Sequence, residues 1–117
     1  MKTKKFINKA QYPGGRIALI EFVKENLVYP QAALKKRIEG KVLIKYEVNE
    51  KGIVHNIKIV NGLGYGCDEE AMRLVQLLRY PEVKNRGLKV NTKFKISIQF
   101  QLPLSNTVEV NYVLVDK

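Results

Sequence analysis

From Val90 to Leu102 the chain alternates without a slip. Val90, Thr92, Phe94, Ile96, Ile98, Phe100 and Leu102 fall at one parity; Asn91, Lys93, Lys95, Ser97, Gln99 and Gln101 fall at the other. A period of two with one apolar and one polar set is the signature of a β-strand buried on one side and wetted on the other. It excludes an all-helical fold and requires an apolar layer against one face. Lys41 to Asn49 repeats the pattern, with Val42, Ile44, Tyr46 and Val48 opposite Lys41, Leu43, Lys45 and Glu47. Asn49-Glu50-Lys51-Gly52 then reads as a hairpin loop, with glycine where a positive φ is needed. Ile53 to Val60 is the return strand. Val54 is out of phase with Ile57 and Ile59, which predicts a β-bulge near His55-Asn56.

The covering layer is helical. Leu19, Phe22 and Val23, with Ile20 and Leu27, form an apolar stripe over Arg16–Leu27. Tyr29-Pro30 stops that helix, because the residue before a proline is pushed out of the helical region. Pro30 suits the first turn of a short second helix reaching Arg37, which Gly40 ends. After a glycine-rich stretch (Gly62, Gly64, Gly66), Asp68 is the expected N-cap of a third helix. Ala71, Leu74, Val75 and Leu78 are its apolar stripe, and it stops before Pro81. Residues 81–89 read as a basic loop. Pro103 breaks the long strand, and Thr107–Val115 again alternates. The expected fold is α+β: two or three helices packed on one face of a small antiparallel sheet of three strands, or four if the tail joins. The core should sit on Val42, Ile44, Tyr46, Val48, Phe94, Ile96, Ile98 and Phe100.

The chain has 117 residues, the size of one domain. Residues 1–15 read as a basic arm and turn, 16–103 as the folded domain, and 104–117 as an extension. One cysteine, Cys67, precludes an internal disulfide. No run reaches the ~18 apolar residues of a membrane span. The basic N-terminus lacks the apolar segment of a signal peptide.

Chemistry is thinly represented. The single histidine, His55, sits on the hairpin without cysteines or carboxylates at metal-ligand spacing. Cys67 at a helix start could be an activated thiolate, but no signature supplies a base; a half-buried loop cysteine is the simpler reading. Gly62-Leu63-Gly64-Tyr65-Gly66 lacks the lysine and hydroxyl of a phosphate loop, and Asp68, Glu69 and Glu70 would repel a phosphate. No catalytic group and no cofactor or metal site is expected.

Taken in order, these segments resemble the C-terminal domain of TonB, the energy transducer of bacterial outer-membrane transport, in a version like that of Bacteroidetes homologues. The resemblance is carried by Tyr29-Pro30 with Ala32 and Ala33, Ile38-Glu39-Gly40-Lys41-Val42, Lys45-Tyr46-Glu47-Val48, Gly52, Ile57-Lys58-Ile59-Val60, Asp68-Glu69-Glu70-Ala71-Met72-Arg73 and the strand Val90–Leu102, with Tyr12-Pro13-Gly14-Gly15 upstream. It covers roughly residues 12–102. Members often carry a tryptophan after the second main helix; this chain has none, and Tyr80 is expected to fill that place. The proline-rich spacer and inner-membrane anchor of a full transducer do not occur in this sequence. The expectation is an excised terminal domain or a stand-alone relative, linked to the proton-motive complex only through a missing anchor.

The resemblance implies a non-enzymatic, periplasmic domain that binds the "TonB box" of outer-membrane transporters by strand addition, in support of siderophore, cobalamin or glycan-type uptake. Main-chain hydrogen bonds supply binding in that mode, and side chains at alternate positions supply selectivity. By resemblance the partner-binding residues are Lys93, Lys95, Ser97, Gln99 and Gln101 on the last core strand. Asn26, Tyr29 and Pro30 match a short segment that lies near the transporter, although Tyr29-Pro30 also has the simpler role of joining two helices. A tail that folds back on the open edge would guard it. A tail that swaps into a second copy would give a homodimer.

The rival reading rests on charge. At +10 the chain suits an anionic partner, nucleic acid or another acidic polymer. Lys41, Lys45, Lys93 and Lys95 should share the polar sheet face. An RNA-binding sheet would interleave aromatics there for base stacking; here Tyr46, Phe94 and Phe100 fall on the apolar side, which weighs against nucleic acid.

Overall fold

The structure, a computed structural model, describes residues 9–102. Most of the basic arm and the alternating segment Thr107–Val115 lie outside the described residues. Three strands, β1 (Gly40–Val48), β2 (Val54–Asn61) and β3 (Thr92–Phe100), form an antiparallel sheet in the order β2-β1-β3. β1 is therefore central. The expected parities hold: Val42, Ile44, Tyr46, Val48, Ile98 and Phe100 are buried, and Phe94 and Ile96 are half-buried against them. Tyr46 faces Phe94, Ile44 faces Ile96 and Val42 faces Ile98 across the β1–β3 ladder. β3 is shorter than the alternation predicts. It begins at Thr92 rather than Val90, and Gln101 and Leu102 lie past its end. The Leu102 N–H donates to the Glu39 carboxylate at 2.7 Å, which ties that end beside the start of β1.

The phase slip in β2 has the expected cause. Lys45 pairs with Lys58 and Glu47 with His55, so Tyr46 alone faces both Asn56 and Ile57. Asn56 takes the left-handed conformation (φ 55°), and its amide donates to Glu47 Oε2 at 2.9 Å. The extra residue brings Val54, Ile57 and Ile59 to one side, against the core. At the hairpin, Asn49 Oδ1 accepts from the N–H groups of Lys51 and Ile53 at 2.9 and 3.0 Å. Gly52 is fixed twice: its φ is +84°, and a Cβ there would lie 2.0 Å from the Tyr80 carbonyl oxygen.

Three helices complete the domain: α1 (Gly15–Asn26), α2 (Gln31–Lys35) and α3 (Cys67–Leu77). Two expectations about their ends are corrected. Gly40 does not end α2. The helix closes earlier, at Arg37 in the left-handed region (φ 54°), with Ile38 N–H donating to Ala33 O at 2.9 Å and Arg37 N–H to Leu34 O at 3.1 Å. This is the paired closure usually built around glycine. Nor is Asp68 the N-cap of α3. Gly66 occupies that position, and Asp68 sits in the first turn, reaching back to accept from the N–H of Leu63 at 2.8 Å. Its charge still complements the helix N-terminus. The stripe Ala71, Leu74 and Val75, followed by Leu78, is fully buried, and α3 packs on β1 and β2.

The core is closed by aromatics. Tyr80 and Tyr46 share a buried hydroxyl–hydroxyl hydrogen bond of 2.7 Å. Phe94 stacks on both rings at 5.3 Å, and Tyr12 meets Tyr80 edge-on at 5.5 Å. Tyr80, 7% exposed, is part of this core.

Candidate functional site

Every strand leaves two rows of backbone polar groups, one on each side. β1 spends both on its neighbours. Among the described residues β3 has no neighbour on its outer side, so half its N–H and C=O groups have no ladder partner. An open row of this kind is a template for another strand.

The surroundings of that edge are not bare solvent. α1 runs alongside, and between the two lie adjoining clefts. The larger, ≈ 880 Å³, is lined by Tyr12, Leu19, Ile20, Phe94, Ile96 and neighbours. The second, ≈ 470 Å³, is lined by Ile20, Val23, Leu27, Ile96, Gln99, Gln101 and neighbours. Arg16, Ile20, Ile96 and Ser97 line both, so the clefts form one trench along β3. Its α1 wall is built from Leu19, Ile20, Val23 and Leu27, with the cations Arg16 and Lys24 among them. Ile20, which the helical stripe assigns to the core, is 39% exposed and faces this trench instead.

Lys93, Lys95, Ser97 and Gln99 are exposed on the helix-free face of β3, at the parity the sequence indicates, and Gln101 is exposed just past the strand's end. The ladders place further cations beside them. Lys45 is the direct partner of both Lys95 on β3 and Lys58 on β2. Lys58–Lys45–Lys95 is therefore a row straight across the sheet. Sequence reading put Lys45 and Lys95 on this face but missed Lys58, whose side depends on the Asn56 bulge; the phase slip was its only signal. Lys45, Lys58, Lys93 and Lys95 line one shallow depression with Glu47 and Asn56. The Glu47 carboxyl is held below the ordinary carboxylate range, chiefly by the Asn91 amide and then by that of Asn56. Asn91 in turn pairs with His55 Nε2 at 2.8 Å.

Asn26, Tyr29 and Pro30 lie on the α1–α2 link, apart from the lysine face. Asn26 Nδ2 donates to Phe22 O at 2.8 Å, and its own carbonyl accepts from Arg73 Nη2 at 2.8 Å. The Tyr29 hydroxyl donates to the Ile38 carbonyl, and its ring meets Phe100 edge-on at 5.7 Å. The link is thus fastened to the C-terminal end of β3. Glu70, 9% exposed, completes the fastening. It accepts from the Val28 N–H at 2.7 Å and from Arg73 Nε and Nη2 at 2.8 and 2.7 Å. Sequence reading saw in Glu70 only a favourable charge at a helix start.

The remaining chemistry is sparse. Burial pushes the Cys67 thiol up, with Asp68 and Glu69 adding to the effect, so this cysteine is not an activated thiolate. Among the described residues no group of three or more histidine, cysteine, aspartate or glutamate side chains could hold a metal ion. No helix among them is long and apolar enough to cross a membrane.

A family model described as the C-terminal domain of Gram-negative bacterial TonB proteins matches residues 25–102. Among solved structures, the chain is similar to the solution structure of the Helicobacter pylori TonB C-terminal domain. The match has 24% identity and a TM-score of 0.49, and covers 74% of this chain and 81% of that one. No curated protein matches.

Proposed function

Because the chain belongs to the family of TonB C-terminal domains, a family of non-enzymatic protein-interaction domains, we propose that it is the periplasmic partner-binding domain of a TonB-type energy transducer. In this reading it takes an extended segment of an outer-membrane transporter as a new strand on β3, in support of active nutrient uptake. The observation that carries the reading is the edge of β3 that has no strand neighbour among the described residues, beside a trench walled by α1. A segment laid there gains main-chain hydrogen bonds on one side, while its inward side chains cover Ile20, Val23 and Ile96. Covering ~200 Å² of apolar surface would contribute about 5 kcal/mol before the cost of ordering the segment. Lys93, Lys95, Ser97 and Gln99 then flank the incoming strand on the open face. Asn26, Tyr29 and Pro30 hold the end of the trench in shape.

The test uses peptides from the N-terminal segment of a TonB-dependent transporter, N-methylated at every second residue in the two complementary patterns. An added strand turns one row of N–H groups toward β3 and the other away. One pattern should therefore abolish binding and the other should leave it largely intact. Equal loss, or no loss, with both patterns would refute strand addition.

A further inference from the structure

The helix-free face of the sheet concentrates charge that the fold itself does not relieve. Lys45 pairs directly with Lys58 on β2 and with Lys95 on β3, so three exposed ammonium groups stand in one row. Neighbouring strands lie ~4.8 Å apart, which puts the three stems within ~10 Å of one another. Like charges set opposite each other disfavour a sheet. Among the described residues none of the three makes an ion pair with a carboxylate. Lys93 adds a fourth cation to the same depression, and the carboxylate that lines it, Glu47, has its oxygens taken by the Asn56 and Asn91 amides. Two apolar side chains border the row. Leu43 lies at the outward parity of β1 and is only half-buried. Val60 is the extra residue where the pairing slips between Ile44–Ile59 and Leu43–Asn61; it stands one step past core-facing Ile59 and is 44% exposed. Neither belongs to the core cluster.

We propose that this face docks on a bilayer surface rich in anionic phospholipid headgroups. The depression is shallow and no buried charged side chain lines it, so it is not built around one small anion. Tyr46 and Phe94 stack on each other within the core, which leaves no aromatic platform on the lysine side for the bases of a nucleic acid. What the face offers is four exposed cations with apolar side chains at their margin. That combination suits a lipid surface: the ammonium groups meet phosphates, and the apolar side chains reach the boundary just beneath them. Each lysine held near such a surface multiplies partitioning about fivefold, and the effect fades beyond a screening length of ~8 Å. The helices pack on the opposite face of the sheet, so docking leaves α1 and the outer side of β3 uncovered. The contact therefore does not depend on strand addition, and it would set the strands along the plane of the bilayer.

The experiment measures co-sedimentation of the full chain with vesicles of phosphatidylcholine alone, and with vesicles in which phosphatidylglycerol makes up a third of the lipid. Binding should be confined to the anionic vesicles and should fall at least about tenfold between roughly 0.05 M and 0.5 M salt. The combined substitutions Lys45→Gln, Lys58→Gln and Lys95→Gln should weaken it by on the order of a hundredfold. Lys24→Gln, Lys35→Gln and Lys36→Gln remove the same charge from exposed positions on α1 and at α2, and should weaken it about threefold or less. The row variant should melt no lower than the parent chain, because it relieves like charges set opposite one another. A single-stranded oligothymidylate at equal phosphate concentration should bind more weakly than the anionic vesicles. Equal losses in the two triple variants, binding to neutral vesicles, or no binding to either kind would overturn the proposal. A lower melting point in the row variant would make the row a support of the sheet, and tighter binding to the oligonucleotide would give the face to nucleic acid; either result would overturn it as well.

Discussion

Tyr46 and Tyr80 place two phenol hydroxyls 2.7 Å apart in the core, with the residues 1% and 7% exposed. Burial is the largest influence on each, and it pushes both phenols above their ordinary value, so both remain protonated at physiological pH. Tyr80→Phe removes one partner and leaves the Tyr46 hydroxyl buried without it. The loss is the net value of a hydrogen bond, about 1 kcal/mol, plus the cost of stranding a buried hydroxyl, for a total of about 1–3 kcal/mol. Tyr46→Phe should cost a similar amount. Replacing both removes donor and acceptor together and leaves three stacked rings, so the double variant should lose about 1 kcal/mol or less. The singles should therefore overshoot the double, with a coupling of about 1–5 kcal/mol. Urea unfolding of the four proteins reads this directly. In melting temperature each single should fall roughly 4–12 °C. If the two single losses add to the double loss within experimental error, the hydroxyl pair is not a coupled unit and the reasoning fails.

Three other perturbations probe separate parts of the molecule. Gly52→Ala combines a left-handed backbone with a Cβ driven against the Tyr80 carbonyl, and should destabilise by about 2 kcal/mol or more, read as a lower urea midpoint at unchanged slope. Glu70→Ala strips the Val28 N–H of its partner and leaves Arg73 only the Asn26 carbonyl, and should cost about 1–3 kcal/mol while speeding amide exchange in the α1–α2 link ahead of the sheet. The Glu47 carboxyl should titrate below an ordinary glutamate by NMR. Its folded value is depressed, so its contribution to stability is present above the unfolded value and fades as pH falls through the folded one; in Asn91→Ala the titration should move back up.

Much of the sheet was legible because one-sided burial enforces a period of two, and β1 and β3 obey it residue by residue. Even the irregularity in β2 announced itself, since Val54 and Ile57 can reach one core only if a residue is looped out between them. What was not legible depends on partners distant in sequence. Arg37 ends α2 because two backbone hydrogen bonds close over it, a choice that composition does not announce while Gly40 stands nearby. Asp68 turned back into the preceding loop because the Leu63 N–H was within reach. The candidate site divides in the same way. The polar side chains of β3 could be read from parity, whereas an edge without a strand neighbour among the described residues is backbone and carries no residue signature. The trench exists because α1 stands beside β3 with Ile20 facing the gap, and the lysine row because bulge and register bring Lys58 into line.

Residue-resolved amide exchange of the chain, with and without a saturating transporter-derived peptide, tests strand addition most directly. The account expects new protection at every second amide from Thr92 to Phe100, the set whose N–H groups face outward, with the intervening amides unchanged because β1 already holds them. The outer edge of β2, from Val54 to Asn61, should be unaffected. Protection on β2, or uniform protection across β3 without alternation, would contradict the claim that β3 receives the partner as a strand.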